Sequence, residues 1–200
     1  VKDPGEKVRK ANHDLVELMT PIIKSILTDY GVEISSEMLQ IFGGHGYIRE
    51  YGMEQFYRDA RIAPIWEGTN GIQAMDLAGR KMPQGMGRLL RRFFHPALAF
   101  IEDNRGDENL MEFVVPFEKA LKGLQKTSMF MAQKGLSNPY EIGAAASDYM
   151  KQFGLVSMGY MWLLMLKTAF SKQDEDDFYK NKVIIGRFFF ERILPETLSR

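Results

Sequence analysis

The sequence contains no cysteine. This absence excludes disulfide bonds, thiolate nucleophiles and zinc sites with sulfur ligands. At 200 residues the chain is long enough to bury a core that needs no such crosslinks. Because a cysteine-free protein suits a reducing compartment, we expect a cytoplasmic location.

An excess of either charge is also lacking, since 26 Lys and Arg residues balance 26 Asp and Glu residues. No net field therefore recruits nucleic acid or an anionic membrane. The basic cluster of Arg88, Arg91 and Arg92 is narrower than the stripe of cations that nucleic-acid binding requires. We therefore predict no nucleic-acid partner.

Histidine is scarce, with His13, His45 and His95 as its three occurrences. They do not pair at the helical spacing of a metal site, so we predict that no metal is bound. The sequence offers no Ser-His-Asp arrangement, phosphate-binding P-loop or paired-carboxylate signature either.

Segments that alternate apolar and polar residues over a useful length are missing, which predicts an all-α protein. Residues 153–170 form a long apolar run with Lys167 as its one charge. Its length touches the lower limit for a membrane span. The lysine and the glycines in the run favour a helix buried in a bundle, so we predict no membrane span.

Helix signals organise the first 82 residues. Residues 1–19 suggest a linker and a short helix that could begin at Asp3-Pro4. A second helix should begin at Thr20-Pro21, where a hydroxyl cap precedes a proline, and should end at Gly43-Gly44. We then expect a loop over residues 45–53, a short helix over 54–62 and another helix over 69–82.

The Pro- and Gly-rich stretch over residues 81–87 is the predicted domain boundary. Beyond it, apolar residues at three- and four-residue spacing predict an additional helical bundle. We therefore predict one helical domain over residues 1–82 and a second over residues 83–200. Because the first residue is Val and no signal-like pattern follows, we expect the chain to belong to a longer or processed protein.

Residues 40–81 hold the features that could carry chemistry. Glu67 lies between Trp66 and Gly68, where a carboxylate beside an indole could act as a base against a planar ligand. It could also be a solvated residue near a helix start. Gly43 and Gly44 could let the backbone approach a phosphate, or they could simply end the helix.

Taken together, residues 37–81 resemble the C-terminal helical domain of the acyl-CoA dehydrogenases. Three blocks occur in the family's order and spacing: QIFGGHGY at residues 40–47, YRDARI at residues 57–62 and WEGTNGIQ at residues 66–73. Residues 83–200 resemble the extra helical domain of the larger subfamily that includes the 3-methylmercaptopropionyl-CoA dehydrogenases. The chain departs from the family pattern at three positions: Trp66, where Tyr is usual, and Ala74 and Gly79, where Arg is common.

The resemblance implies FAD-dependent α,β-dehydrogenation of an acyl-CoA thioester. Glu67 would remove the α proton, and its backbone N–H would contact the thioester carbonyl together with a flavin ribityl hydroxyl. Trp66 and Gly68 would lie on the substrate side, with Trp66 as an apolar wall. FAD would contact two groups of residues, the first commonly across a subunit interface: Gln40, Ile41, Phe42, Gly43 and Gly44, and then Thr69, Asn70 and Gly71.

The resemblance further implies an acyl-CoA substrate, a homo-oligomer, and an electron-transfer flavoprotein or similar acceptor as partner. The family's N-terminal helical domain and β-domain are missing from this sequence. We therefore expect the chain alone to bind FAD weakly or not at all and to be inactive. Two alternatives stay open: a non-enzymatic helical module for oligomerisation or partner docking, and a DNA-associated relative like the alkylation-damage-response flavoproteins.

Overall fold

Eight α-helices make up most of the computed structural model, which describes residues 5–198. No strand occurs among these residues, so the all-α prediction is confirmed. The helices are α1 Gly5–Ile41, α2 Gly44–Tyr47, α3 Met53–Ile62, α4 Asn70–Met75, α5 Arg88–Asp103, α6 Glu108–Ser137, α7 Pro139–Lys172 and α8 Asp177–Phe188. A π-helix over Asp76–Lys81 continues α4, and α8 runs on through a π-helix over Phe189–Ile193 into a 3₁₀ helix over Leu194–Leu198.

The first helix is longer than the sequence indicates. α1 continues through Thr20-Pro21, so the predicted helix start at this pair is wrong, as is a linker from residue 5 onward. Thr20 Oγ1 donates to the Val16 carbonyl within the helix instead of capping a new one. Buried Leu18 and Ile22 flank the proline, and their packing keeps the helix continuous despite it. The start considered at Asp3-Pro4 lies outside the described residues.

The glycine-rich segment after α1 is also more ordered than predicted. Gly43 ends α1 with a φ of 60°, as the glycine pair indicates. In place of the loop predicted over residues 45–53, the chain forms α2 and a 3₁₀ helix over Arg49–Tyr51. The two following helices are confirmed: α3 begins one residue early, and α4 with its π-helix ends at Lys81.

Helices α5 to α8 form the predicted additional bundle. Asn138 caps α7 by accepting a hydrogen bond from the Tyr140 amide, and Asp176 caps α8 by accepting one from the Phe178 amide. Asn138 alone separates α6 from α7, and the two helices pack as an antiparallel hairpin. Within the hairpin, the Ser128 and Tyr149 hydroxyls are buried and lie 2.8 Å apart.

Helix α7 packs against α1, α4, α6 and α8. By length and composition it could cross a membrane, since an 18-residue window reaches a mean hydropathy of 1.3, yet half of that window is buried within the protein. At Gly154 an added Cβ would lie 2.9 Å from Ile26 Cδ1, so only glycine allows α1 and α7 to approach this closely. The absence of a membrane span stays a prediction.

A single core joins the two parts of the chain. Leu18 of α1 and Leu77 of the π-helix belong to the same cluster of buried side chains as Phe113, Phe117 and Phe153 of the bundle. The turn at residues 82–87 coincides with the predicted boundary, but the core continues across it. The division into domains over residues 1–82 and 83–200 stays a prediction.

A buried ionic cluster also crosses this boundary. The Asp14 carboxylate of α1 is 2% exposed and lies 3.1 Å from Arg88 Nη2 and 3.3 Å from Arg92 Nε. Glu17 follows Asp14 by one helical turn of α1, and buried Lys81 donates to Glu17 Oε1 over 2.7 Å. The hydrogen bond from Lys81 lowers the pKa of Glu17 below its ordinary value. These pairs fix α1 to the end of the π-helix and to the first turns of α5.

Substituting Asp14→Ala should lower the free energy of unfolding by about 2 kcal/mol. The change leaves two arginines without their buried partner, and their partial exposure keeps the loss below that of a fully buried pair. Urea denaturation of the chain measures the loss. Asp103→Ala, which removes an exposed carboxylate at the end of α5, serves as the matched control and should change stability by less than about 0.5 kcal/mol. Equal effects at the two positions would contradict a structural role for the Asp14 cluster.

Candidate functional site

Glu67 lies in an exposed turn between α3 and α4. Its φ is 51°, and Gly68 follows with a φ of 86°, so two successive residues adopt the left-handed conformation. That conformation is uncommon for a residue with a Cβ and costs free energy. Across residues 5–198, no ion pair or side-chain hydrogen bond engages the Glu67 carboxylate. The turn therefore presents a free carboxylate to solvent in a strained backbone conformation.

Three hydrogen bonds to backbone carbonyls close the turn. Trp66 N donates to the Ile62 carbonyl at the end of α3, over 3.2 Å. Asn70 N donates to the Pro64 carbonyl over 3.1 Å, and Gln73 Nε2 reaches the Glu67 carbonyl at 3.4 Å. These contacts shape the loop, and neither the Glu67 side chain nor its backbone N–H takes part in them.

On the predicted substrate side, the Trp66 side chain is 56% exposed. Gly68 is half-buried, and an added Cβ would lie 2.7 Å from Gln73 Nε2. Both residues therefore flank Glu67 in the chain, with Trp66 exposed and Gly68 half-buried. Their contact with substrate stays a prediction.

The residues predicted to follow the flavin begin α4. Thr69 is its N-cap, and the Thr69 side chain accepts a hydrogen bond from the Ile72 amide over 3.3 Å. Asn70 turns its side chain toward α1, where it bonds to Lys24 and Asp29. Gly71 is exposed in the first turn of the helix. Thr69 and Gly71 are thus exposed near Glu67, whereas the Asn70 side chain is directed toward α1.

The other predicted cofactor group, Gln40 to Gly44, lies at the C-terminal end of α1 and just beyond it. Gln40, Ile41 and Phe42 are exposed, with Ile41 at 75%. At Gly43 and Gly44 an added Cβ would meet nothing within 4 Å, so the backbone borders open space that a ligand could approach. This segment is therefore accessible, as contact with a cofactor requires.

The structure does not bring the two predicted cofactor groups together. Asn70 contacts α1 at Thr28, which is twelve residues before Gln40. At about 1.5 Å per residue, the two groups are separated by about 18 Å along the helix axis. The two predicted groups thus lie at different places along α1, and Glu67 is close in sequence only to the group that contains Asn70.

The departures from the family pattern have different environments. Ala74 is 1% exposed and lies under the bundle, since α4 packs against α7. Met75 also contacts α7, with its Cε 3.8 Å from the Cβ position of Gly143. An arginine at position 74 would not fit beneath α7, which explains the small side chain there. Gly79 is exposed, and nothing in the structure explains its identity.

The charged clusters noted in the sequence are engaged in contacts within the chain. Arg88 and Arg92 bind Asp14, and Arg91 Nη1 donates to the Met86 carbonyl over 2.7 Å. His13, Asp14 and Glu17 place potential metal-ligand atoms within 4.8 Å of one another. However, both carboxylates of this group already pair with arginine or lysine side chains.

Sequence reasoning missed Lys24, Thr28 and Asp29, which surround the Asn70 side chain. They lie 41 to 46 residues before Asn70, and no motif connects them to it. The polar residues at Lys24, Thr28 and Asp29 recur on one side of α1 at helical spacing, which was the available signal.

Comparison with known proteins finds matches over most of the chain. Residues 6–82 match the family described as Acyl-CoA dehydrogenase, C-terminal domain, and residues 93–200 match the one described as Acetyl-CoA dehydrogenase C-terminal like. The chain is 49% identical to 3-methylmercaptopropionyl-CoA dehydrogenase of Ruegeria pomeroyi, over 96% of this chain and 33% of that protein. It is 28% identical to the broad-specificity linear acyl-CoA dehydrogenase FadE5 of Mycobacterium tuberculosis, over 92% of this chain and 32% of that protein.

A solved structure shares the fold. The crystal structure of Caenorhabditis elegans ACDH-11 in complex with C11-CoA aligns with a TM-score of 0.73 at 24% identity, over 92% of this chain and 30% of that one. The chain therefore spans about a third of the length of these relatives.

Substituting Gly68→Ala should destabilise the chain by about 1–2 kcal/mol. The new side chain would occupy the left-handed region and would displace Gln73 from the Glu67 carbonyl. Thermal and urea denaturation measure the change. The control is Gly71→Ala in the next helical turn, where the nearest atom lies 3.9 Å away and alanine should be neutral or stabilising. Similar stabilities for the two variants would show that the turn does not require glycine at position 68.

Proposed function

The chain belongs to the acyl-CoA dehydrogenase family, and on that premise we propose that it supplies the catalytic base of an FAD-dependent acyl-CoA dehydrogenase, Glu67. The observation that carries the proposal is the unpaired Glu67 carboxylate at the start of α4, in a strained turn that the family's third sequence block occupies. A base must be unpaired to accept a proton and fixed to reach a weakly acidic carbon. The turn meets both requirements.

In the proposed reaction the Glu67 carboxylate removes the proton from the α carbon of an acyl-CoA thioester. Bound FAD supplies the hydride acceptor for the β hydrogen, so that an α,β double bond forms. The backbone N–H of Glu67 donates to the thioester carbonyl and stabilises the charge that develops there. Trp66 lies against the substrate and excludes water from the carboxylate.

The residues present fit an FAD site in two pieces. Thr69 and Gly71 lie beside Glu67 and face outward, where they would follow the flavin. Gln40 to Gly44 provide an exposed segment whose glycines leave room for a close ligand, where they would hold the adenosine-diphosphate part. In the family this second stretch commonly contacts FAD across a subunit interface, so we propose that Gln40 to Gly44 serve the FAD of a neighbouring subunit in a homo-oligomer.

The proposed partners follow from family membership. The substrate is an acyl-CoA thioester, and an electron-transfer flavoprotein or a similar acceptor reoxidises the flavin. The engagement of Arg88, Arg91 and Arg92 within the chain gives no support to the DNA-associated alternative. The bundle of α5 to α8 shares its core with α1 and the π-helix, which favours a supporting role for the bundle within the enzyme over an independent docking module.

Substituting Glu67→Gln in the full-length protein should lower kcat by at least about 100-fold, since the amide cannot accept the α proton. FAD content and acyl-CoA binding should persist, because the change preserves size and shape. Dye-linked dehydrogenation of a panel of acyl-CoAs measures the loss. Glu50→Gln is the matched control, since Glu50 is an exposed carboxylate on the neighbouring 3₁₀ helix. Near-normal turnover by the Glu67 variant would refute the proposal.

The 200-residue chain alone should fold but retain little or no FAD and should not dehydrogenate acyl-CoA. The two pieces of the proposed cofactor site lie far apart in one chain, so neither can enclose the flavin. Flavin absorbance after purification and fluorescence titration with FAD test this expectation. Stoichiometric FAD binding by the isolated chain would show that one copy holds a complete site and would contradict the two-piece arrangement.

A further inference from the structure

The Asn70 side chain is the centre of a hydrogen-bond network that ties the start of α4 to α1. Its Nδ2 donates one hydrogen to Asp29 Oδ1 over 2.7 Å. Thr28 Oγ1 at 3.0 Å and the Ser25 carbonyl at 3.2 Å lie within reach of the second hydrogen. Its Oδ1 accepts from Lys24 Nζ over 2.7 Å and lies 3.2 Å from Thr28 Oγ1. An asparagine amide offers two hydrogens and one acceptor oxygen, and here α1 engages all of them.

This network acts on the turn that carries Glu67. Asn70 is three residues from Glu67, and its backbone N–H closes the turn on the Pro64 carbonyl. The left-handed residues Glu67 and Gly68 store conformational free energy that would be released if the turn rearranged. The side-chain bonds of Asn70 join this strained turn to an element outside it.

The partner surface on α1 is itself rigid. Ser25 and Ile26 are buried, and α7 packs closely against Ile26 through Gly154. Thr28 Oγ1 also bonds to the Lys24 carbonyl over 2.7 Å, which holds its hydroxyl in place within the helix. The position of Asn70 is therefore set by the packing of α1 on α7 and not by the exposed turn alone.

We propose that Asn70 is a positioning residue for the catalytic carboxylate, acting through its hydrogen bonds to Lys24, Thr28 and Asp29. The inference rests on the proposed function of Glu67 as the base. Because α1 already binds the amide hydrogens and the carbonyl oxygen of its side chain, Asn70 contributes by orienting Glu67 and not by binding FAD or substrate through its amide. A displacement of about 1 Å at a reacting group is enough to cost up to about 100-fold in rate.

The test is a reciprocal exchange in the full-length holoenzyme. Asn70→Asp places a carboxylate beside Asp29 and removes the donor, so kcat should fall by about tenfold or more. KM and FAD content should change by less than about threefold, because substrate and cofactor contacts are untouched. Combining Asn70→Asp with Asp29→Asn restores one amide, one carboxylate and the Lys24 pair, and it should recover kcat to within about threefold of the parent. Asn181→Asp, at an exposed position of α8, is the matched control and should leave kcat unchanged.

The exchange separates positioning from direct binding. A double variant as slow as the single one, or a single variant with parental kcat, would overturn the inference. Should Asn70→Asp fold poorly, Lys24→Met removes the ammonium donor to Asn70 Oδ1 and keeps a side chain of similar length. An unchanged kcat in that variant would also overturn the inference. Failure of this inference is distinguishable from failure of the proposed function, since only the latter predicts an active Glu67→Gln enzyme.

Discussion

The hydrogen bonds between Asn70 and α1 are the constraint on which the candidate site depends. A catalytic base must have an unpaired carboxylate, yet an unpaired exposed carboxylate has no contact of its own to fix it. In this chain the constraint is applied three residues away, by an amide whose donors and acceptor all bind α1. The strained backbone at Glu67 and Gly68 can then persist, because its neighbours on both sides are held.

The bundle of α5 to α8 extends this support. Helix α7 packs against both α1 and α4, and Ala74 of α4 is buried. The Asp14 cluster holds α1 to α5, and the shared core continues across the turn at residues 82–87. The family's helical domain and the additional bundle therefore act mechanically as one support for the Glu67 turn.

Local signals in the sequence predicted most of the helices but not every helix boundary. The periodicity of the bundle and the helix end at Gly43 are short-range features, so they could be read directly from the sequence. Thr20-Pro21 carries the same kind of signal, but no helix begins there. The packing of Leu18 and Ile22 outweighs the cost of a proline within α1. Short-range signals therefore fail where tertiary packing decides.

The candidate site was likewise predictable from short-range sequence signals but not in its long-range contacts. Glu67 and its neighbours could be identified because the three family blocks carry them in sequence. The Lys24, Thr28 and Asp29 contacts to Asn70 could not, since they join residues more than 40 positions apart. The separation of Gln40 from Glu67 likewise depends on where Asn70 contacts α1, which is a long-range contact that no local signal gives.

The most direct measurement is an experimental structure of the full-length FAD enzyme with a bound, non-reacting acyl-CoA analogue. The account predicts that the nearer Glu67 carboxylate oxygen lies about 3–3.5 Å from the α carbon, the distance at which proton removal is productive. It also predicts that the Asn70 amide still binds α1. A Glu67 carboxylate directed away from the thioester, with another residue at the α carbon, would contradict the account.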